Sequence, residues 1–296
     1  MKPIVECIPN FSEAKNALTM DHIAEEVGKV NGVILADRHS DLDHNRTVLT
    51  LIGHAEAIAE AALIGAKLAS ELINLEVHSG QHPRIGALDV LPFVPLQGTP
   101  MQVCIDLAHQ VGKQIGEELH IPVYYYGEAA LQPERKALEN IRRGEYESLK
   151  QTIGVEPTKG PDQGPTILSP AGAIAIGARS PLIAFNVFLN SENISLAKKI
   201  ARKVRYSSGG FPAVKALGLS VAGKAQVSMN FTNYKVTNLL PVIEKIRTEA
   251  ETLGTSISHS ELVGLAPREA FLNTNAETLF LPELTEDMFI DSYIKK

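Results

Sequence analysis

The chain has 296 residues, 44% of them hydrophobic and 21% charged, with a net charge of −6. That is the composition of a folded globule of one large or two modest domains, and its acidic balance leaves no polybasic face for nucleic acid. No apolar run approaches the ~18–20 residues that span a bilayer. The opening Met1-Lys2-Pro3-Ile4-Val5-Glu6 has no signal-peptide core, so the expected setting is the cytoplasm, with no membrane partner. Cys7 and Cys104 fall in apolar segments and are expected to be buried free thiols.

The pattern predicts a strand over 4–8, then a helix over 14–30 capped by Asn10 or Ser12, with Leu18, Ile23, Val27 and Val30 on its buried face. Asn31-Gly32 ends it. A strand over 33–36 opens into a polar loop over 37–46, Asp-Arg-His-Ser-Asp-Leu-Asp-His-Asn-Arg, before a β-branched strand over 47–52. A long Ala-rich helix over 54–73 leads into 75–90, where Gly80 and Pro83 argue against helix. This stretch reads as a loop presenting His78, His82 and Arg84, then a strand over 87–94.

An amphipathic helix over 99–119, a strand over 122–126 and charged helices over 133–149 follow. Residues 156–177 are rich in Gly and Pro and mark a boundary, yet they are too apolar to be a free tether. The second half reads strand 182–189, helix 194–204, strands 217–221 and 225–231, helix 236–253 and strand 256–259. Its β-α-β-β-α-β order repeats that of the first half and is the ferredoxin-like pattern. The expected fold is therefore α+β, with duplicated ferredoxin-like subdomains, helices on one face of each sheet and a substrate cleft between them. The expected division is 1–179 and 180–296. A short helix over 268–273 follows, and the acidic tail from Glu277 reads equally as docked or frayed.

Three chemistries fit the histidine-bearing loops. A metal site has donors in His39, Asp41, His44, His78 and His82, but Gly80 and Pro83 deny His78 and His82 the helical H-x-x-x-H face of zinc proteases. Acid–base catalysis by one imidazole needs only a side chain titrating near ~6.5, with Asp37, Asp41, Asp89 or Glu6 available to orient it. A binding module without chemistry is the third. Neither a P-loop nor a G-x-G-x-x-G occurs, which disfavours nucleotides.

The motifs then become specific. Val5-Glu6-Cys7-Ile8-Pro9-Asn10-Phe11-Ser12-Glu13, Asn45-Arg46-Thr47-Val48, Gly80 through Val90, Tyr126-Gly127-Glu128-Ala129-Ala130 and Leu262-Val263-Gly264-Leu265 together resemble the glutamate formiminotransferases, over about residues 4–273. The resemblance implies formimino transfer from N-formimino-L-glutamate to N5 of tetrahydrofolate in histidine degradation. The folate would be a substrate rather than a resident cofactor, with no metal. It implies His82, of the His-Pro-Arg motif, as the catalytic group that removes the N5 proton and protonates the departing glutamate nitrogen. It implies a folate loop over Gly164, Pro165, Thr166, Ile167, Leu168, Ser169, Pro170, Ala171 and Gly172. Arg84 and Arg46 are candidates for the glutamate carboxylates; Glu6, Asp37 and Asn10 are further candidate substrate contacts.

The expected partners are the two small substrates, a second copy in a homodimer, and a separate cyclodeaminase. Two positions depart from the family pattern. Gln81 stands where Glu commonly precedes His-Pro-Arg, and the folate loop has Ala171 in place of a common Ser-Trp pair. A formyl or other one-carbon donor on the same scaffold, or folate binding without turnover, fits the same residues.

Overall fold

A computed structural model describes residues 2–80, 82–272 and 274–294; Gln81 lies outside them. The chain divides into two compact units, Met1–Arg179 and Ser180–Lys296.

The first unit runs β1 (Ile4–Cys7), β2 (Asn10–Phe11), α1 (Ala17–Gly28), β3 (Val33–Asp41), β4 (Arg46–His54), α2 (Ala55–Leu72), β5 (Leu88–Leu96), α3 (Met101–Glu118), β6 (Val123–Gly127), α4 (Leu138–Ile141), α5 (Glu145–Thr152) and β7 (Ile174–Ala178). β1 and β2 both lie between β4 and β5, as one line broken at Pro9. The sheet order is thus β3-β4-(β1, β2)-β5-β7-β6. β7 is parallel to both neighbours, β5 and β6. Side chains alternate across this sheet as the pleat requires. Val123 and Tyr125 join the core under α1, α2 and α3. Tyr124 and Tyr126 point the other way and pack with Tyr146 and Leu149 of α5. The second face is therefore covered locally too, where helices on one face were expected.

Several boundaries differ from the sequence reading. α1 is capped by Asn16, whose side chain accepts from Thr19 N–H at 3.3 Å. Ser12 instead donates to the Gly86 carbonyl at 2.7 Å, and Asn10 to that of Ile8 at 2.6 Å. Starting the helix later turns Leu18 outward, 78% exposed, and buries Met20. The polar stretch 37–41 is strand rather than loop. It pairs with β4 down to Asp41 opposite Arg46, and as an edge strand it needs no apolar run. The Gly/Pro boundary hides β7, an interior strand.

The crossing of two backbones fixes one end of the sheet. Gly86 and Gly172 form an antiparallel bridge. Ala87 N–H donates to the Ala171 carbonyl at 2.8 Å and Ala173 N–H to the Ile85 carbonyl at 2.8 Å. A Cβ on Gly86 would lie 1.9 Å from the Ala173 carbonyl oxygen.

The second unit runs β8 (Ile183–Leu189), α6 (Ile194–Val204), β9 (Val214–Val221), β10 (Lys224–Phe231), α7 (Leu239–Thr252) and β11 (Ile257–Val263). Its sheet order is β11-β8-β10-β9, antiparallel throughout. Asn193 and Asn238 cap the two helices, so α7 begins after the expected position 236. The tail is docked rather than frayed through residue 290: Leu279, Leu281, Phe289 and Ile290 are buried, and Ile290 N–H donates to the Ala266 carbonyl at 3.1 Å. Cys7 and Cys104 are buried free thiols. No helix among the described residues is long and apolar enough to cross a membrane.

The backbone crossing predicts a contrast between two glycines. Gly86→Ala should destabilise by about 3 kcal/mol or more, because the atom it meets is backbone. Gly98→Ala should cost only about 1 kcal/mol, for its φ of +75° with nothing within 4 Å. Urea denaturation of the two variants measures the difference.

Candidate active site

Three chain segments meet where β3 turns into β4. The residue at the junction is Asn45, buried and left-handed with φ +49°. Its side-chain oxygen accepts from Ala14 N–H at 2.9 Å and Lys15 N–H at 3.2 Å, and its amide donates to the Ser79 carbonyl at 3.1 Å. Its own carbonyl accepts from His78 Nε2 at 3.2 Å. Gly80 lets the histidine loop come this close, since a Cβ there would lie 2.3 Å from the His44 carbonyl oxygen.

This closure brings His44, Arg46, His78, His82, Arg84 and Asp89 around a cavity of about 10 Å³. That is room for about one water. A more open groove of about 570 Å³, between the start of α1 and the end of α2, shares Asn45 and His78 with it.

His82 Nδ1 lies 2.7 Å from the Pro83 carbonyl and 3.0 Å from Arg46 Nη1; because the carbonyl can only accept, the ring proton is assigned to Nδ1. Nε2 then holds the lone pair, and Arg46 Nη1 donates to it. Burial, then the charges of Arg46 and Arg142, push the His82 pKa down to about 2. The free protein therefore holds a neutral imidazole whose basic nitrogen is covered by a guanidinium.

Arg46 is itself under strain of charge. Burial and the charge of Arg142 push its pKa down to about 10. Its Nε has no hydrogen-bond partner, and among the described residues no carboxylate forms an ion pair with it.

Arg84 and Arg142 are ion-paired, although Arg142 Nε, like that of Arg46, has no hydrogen-bond partner. Arg84 donates through Nη2 to Glu147 at 2.7 Å, through Nη1 to Glu147 and Glu145 at 2.9 and 3.0 Å, and through Nε to His78 Nδ1 at 3.2 Å. Arg142 pairs with Asp89, whose other oxygen accepts from Ile85 N–H at 2.8 Å. Asp41 accepts from both the backbone N–H of His44, at 2.9 Å, and its ring Nδ1, at 2.5 Å.

Of the residues singled out in the sequence, His82, Arg46 and Arg84 come together. Ala171 and Gly172 meet Ala87 and Gly86, just after these residues in the chain, and Pro170 meets Leu75, but none of Ser169, Pro170, Ala171 and Gly172 lines the cavity. Gly164 is elsewhere, against Gly116 and Ile121 near the start of β6, while Leu168 is buried and Ile167 exposed. Asn10 sits in the sheet opposite Val48 and Val90. Asp37, on β3 opposite Thr50, and Glu6, on β1 opposite Ile52, are outside the cavity lining. Ile52 is six positions along β4 from Arg46, about 20 Å. Burial lifts the Glu6 pKa to about 7 against the pull of Arg179. Arg142 was not singled out; its segment reads as exposed helix, and only the buried Asp89 signals a cation to meet it.

Comparison with known proteins fits this geometry. Residues 4–179 match the family model for the formiminotransferase domain, N-terminal subdomain, and residues 184–290 that for the formiminotransferase domain. The glutamate formimidoyltransferase of Thermoplasma acidophilum is 42% identical, covering 99% of this chain and 98% of its own. That of Streptococcus pyogenes is also 42% identical, over 92% of each chain. The formimidoyltransferase-cyclodeaminase of Rattus norvegicus is 41% identical over 96% of this chain and 54% of its own. The chain belongs to the formiminotransferase family.

The state of His82 has a consequence for stability. Between pH about 2 and 6.5 the unfolded chain binds a proton at this ring that the native state refuses. Native stability therefore falls as pH falls through this window. Wild type should lose stability relative to His82→Gln by up to about 1.4 kcal/mol per pH unit below 6.5. Urea titrations at pH 7, 6 and 5 measure this; parallel trends would mean that the native ring takes up the proton.

Proposed function

We propose that this chain transfers the formimidoyl group of N-formimidoyl-L-glutamate to N5 of tetrahydrofolate, in histidine degradation. The observation that carries the reading is the Arg46–His82 contact. A half-buried guanidinium that forms no ion pair among the described residues rests on the one nitrogen a general base would use. A dicarboxylate donor supplies the missing anion. As Arg46 turns to it in a bidentate pair, the Nε2 lone pair is released and the charge depressing the imidazole is neutralised.

His82 then acts as general acid–base. N5 attacks the amidine carbon and forms a C–N bond. His82 takes the N5 proton, the bond to the glutamate nitrogen breaks, and that nitrogen receives a proton as it leaves. Holding both substrates in one site removes a bimolecular encounter from the barrier, a gain of up to about 7–11 kcal/mol. Arg84, already shared between Glu145 and Glu147, serves in this reading to brace the histidine loop against α5.

The approach of residues 169–172 to 85–87 supports folate binding beside His82. In both units the β-α-β-β-α-β succession carries the same strand order, β3-β4-(β1, β2)-β5 in one and β9-β10-β8-β11 in the other. This supports reading them as ferredoxin-like copies. The name of the rat relative joins the transferase to a cyclodeaminase, which supports a deaminase as the consumer of the product.

The test is an end-point assay with N-formimidoyl-L-glutamate and tetrahydrofolate, acidified and read as the methenyl-folate chromophore. Wild type should give signal, and His82→Ala should lose about 10²–10⁴ in rate with folate binding kept. Arg46→Met should raise the donor KM at least about tenfold while folate affinity holds. Faster turnover of N-formyl-L-glutamate would move the assignment to a formyl donor. Folate binding with no transfer from either donor would make this a binding protein.

A further inference from the structure

The β3–β4 turn carries a second imidazole, His44, that the mechanism above leaves idle. Its backbone is fixed on both sides. The adjacent Asn45 is tied to two other segments, and Gly80 packs on the His44 carbonyl. Its ring is fixed as well. One carboxylate, Asp41, holds the backbone N–H with one oxygen and ring Nδ1 with the other. Nδ1 therefore carries a proton toward Asp41, and Nε2 faces away; among the described residues Nε2 makes no hydrogen bond. The ring meets that of His82 edge to face, with centres 6.0 Å apart and planes at 74°. Both line the same cavity.

The two rings are held in opposite surroundings. His82 stands against two guanidinium groups. His44 stands against a carboxylate that stays ionised: burial pushes the Asp41 pKa up, but the backbone N–H and ring of His44 outweigh it and hold it low. A reaction with one proton to remove and one to deliver can use two imidazoles held side by side, one for each transfer. Asp41 is placed to compensate an imidazolium on His44, as the aspartate of a catalytic triad does for its histidine.

We propose that His44, positioned by Asp41, is the second catalytic residue, and that its Nε2 delivers the proton to the departing glutamate nitrogen. This deepens the formimidoyl-transfer reading and rests on it. The protons balance. As the new C–N5 bond forms, the N5 proton passes to His82. As the C–N bond to glutamate breaks, the proton on His44 Nε2 passes to the leaving nitrogen. The pair resets when His82 yields its proton to His44, directly or through the cavity. The other charged and titratable groups around the cavity are engaged: Asp89 with Arg142, Arg84 with Glu145 and Glu147, His78 between Arg84 and the Asn45 carbonyl, and Arg46 with His82.

The experiment compares wild type, His44→Gln and Asp41→Asn as full chains, in kcat and KM for both substrates across pH. His44→Gln should lower kcat about 10²-fold or more, with both KM values within about threefold. It should abolish the fall of kcat at high pH that loss of a general acid produces, while the low-pH limb, which reports His82, remains. Asp41→Asn should lower kcat about tenfold and move the high-pH limb. Added imidazole should restore part of the rate to His44→Gly but not to His82→Gln.

A kcat for His44→Gln within threefold of wild type, or a loss confined to KM with both limbs intact, overturns the proposal while leaving the transferase reading standing. Should His44→Gln fail to fold, an Asp41→Asn enzyme with wild-type kcat and an unmoved high-pH limb overturns it equally. A wild-type enzyme that makes no formimidoyl-folate overturns the transferase reading, and this proposal with it.

Discussion

The site depends on one residue that does no chemistry. Asn45 uses both ends of its amide and its backbone carbonyl to join the loop before α1, the β3–β4 turn and the loop after α2. Its left-handed backbone is one that asparagine tolerates better than most side chains. Because it lies between His44 and Arg46, fixing it fixes both neighbours in the chain. Because it also holds Ser79 and His78, it sets where the loop ending in His82 must pass. A loop histidine thereby gains the placement normally expected of residues on strands and helices.

The sheet supplies the second anchor. Gly86 and Gly172 allow two backbones to cross at a distance that no side chain permits, and this delivers residues 169–172 to the segment just after His82-Pro83-Arg84. In sequence these stretches are more than eighty positions apart. The parallel pairing of β7 with β5 closes that separation.

Much of this was legible before any coordinates, and the reasons for the rest are physical. Helices with a strong apolar stripe, such as α3 and α6, stand close to where periodicity puts them. The histidine loop was legible because Gly80 and Pro83 interrupt helix where polar residues crowd. β3 was half hidden, since an edge strand is free to carry Asp-Arg-His-Ser-Asp, which reads as loop. β7 was hidden by glycines and prolines on both sides, whose function is the close crossing rather than a linker. Arg142 was invisible because nothing local distinguishes a surface arginine from one turned inward to a buried aspartate 53 positions away. His44 was in view among many polar neighbours, but its role depends on Asp41 three residues back, and only the tight turn makes those side chains meet.

Charge matching around the cavity links these placements to substrate class. Arg142 is neutralised by Asp89, and Arg84 faces two glutamates. Arg46 donates to a neutral imidazole and, among the described residues, forms no ion pair, an arrangement that costs stability because a partly desolvated cation is left without a close counter-ion. Local violations of this kind persist where function needs them. A compensating aspartate in the protein would relieve Arg46 but would also leave the His82 lone pair open in the resting state and remove the reason for an anion to enter. In the proposed mechanism, leaving the counter-charge to the substrate couples three events: anion binding, release of the imidazole nitrogen, and recovery of its basicity. The base would then be exposed only when there is a donor for it to act on.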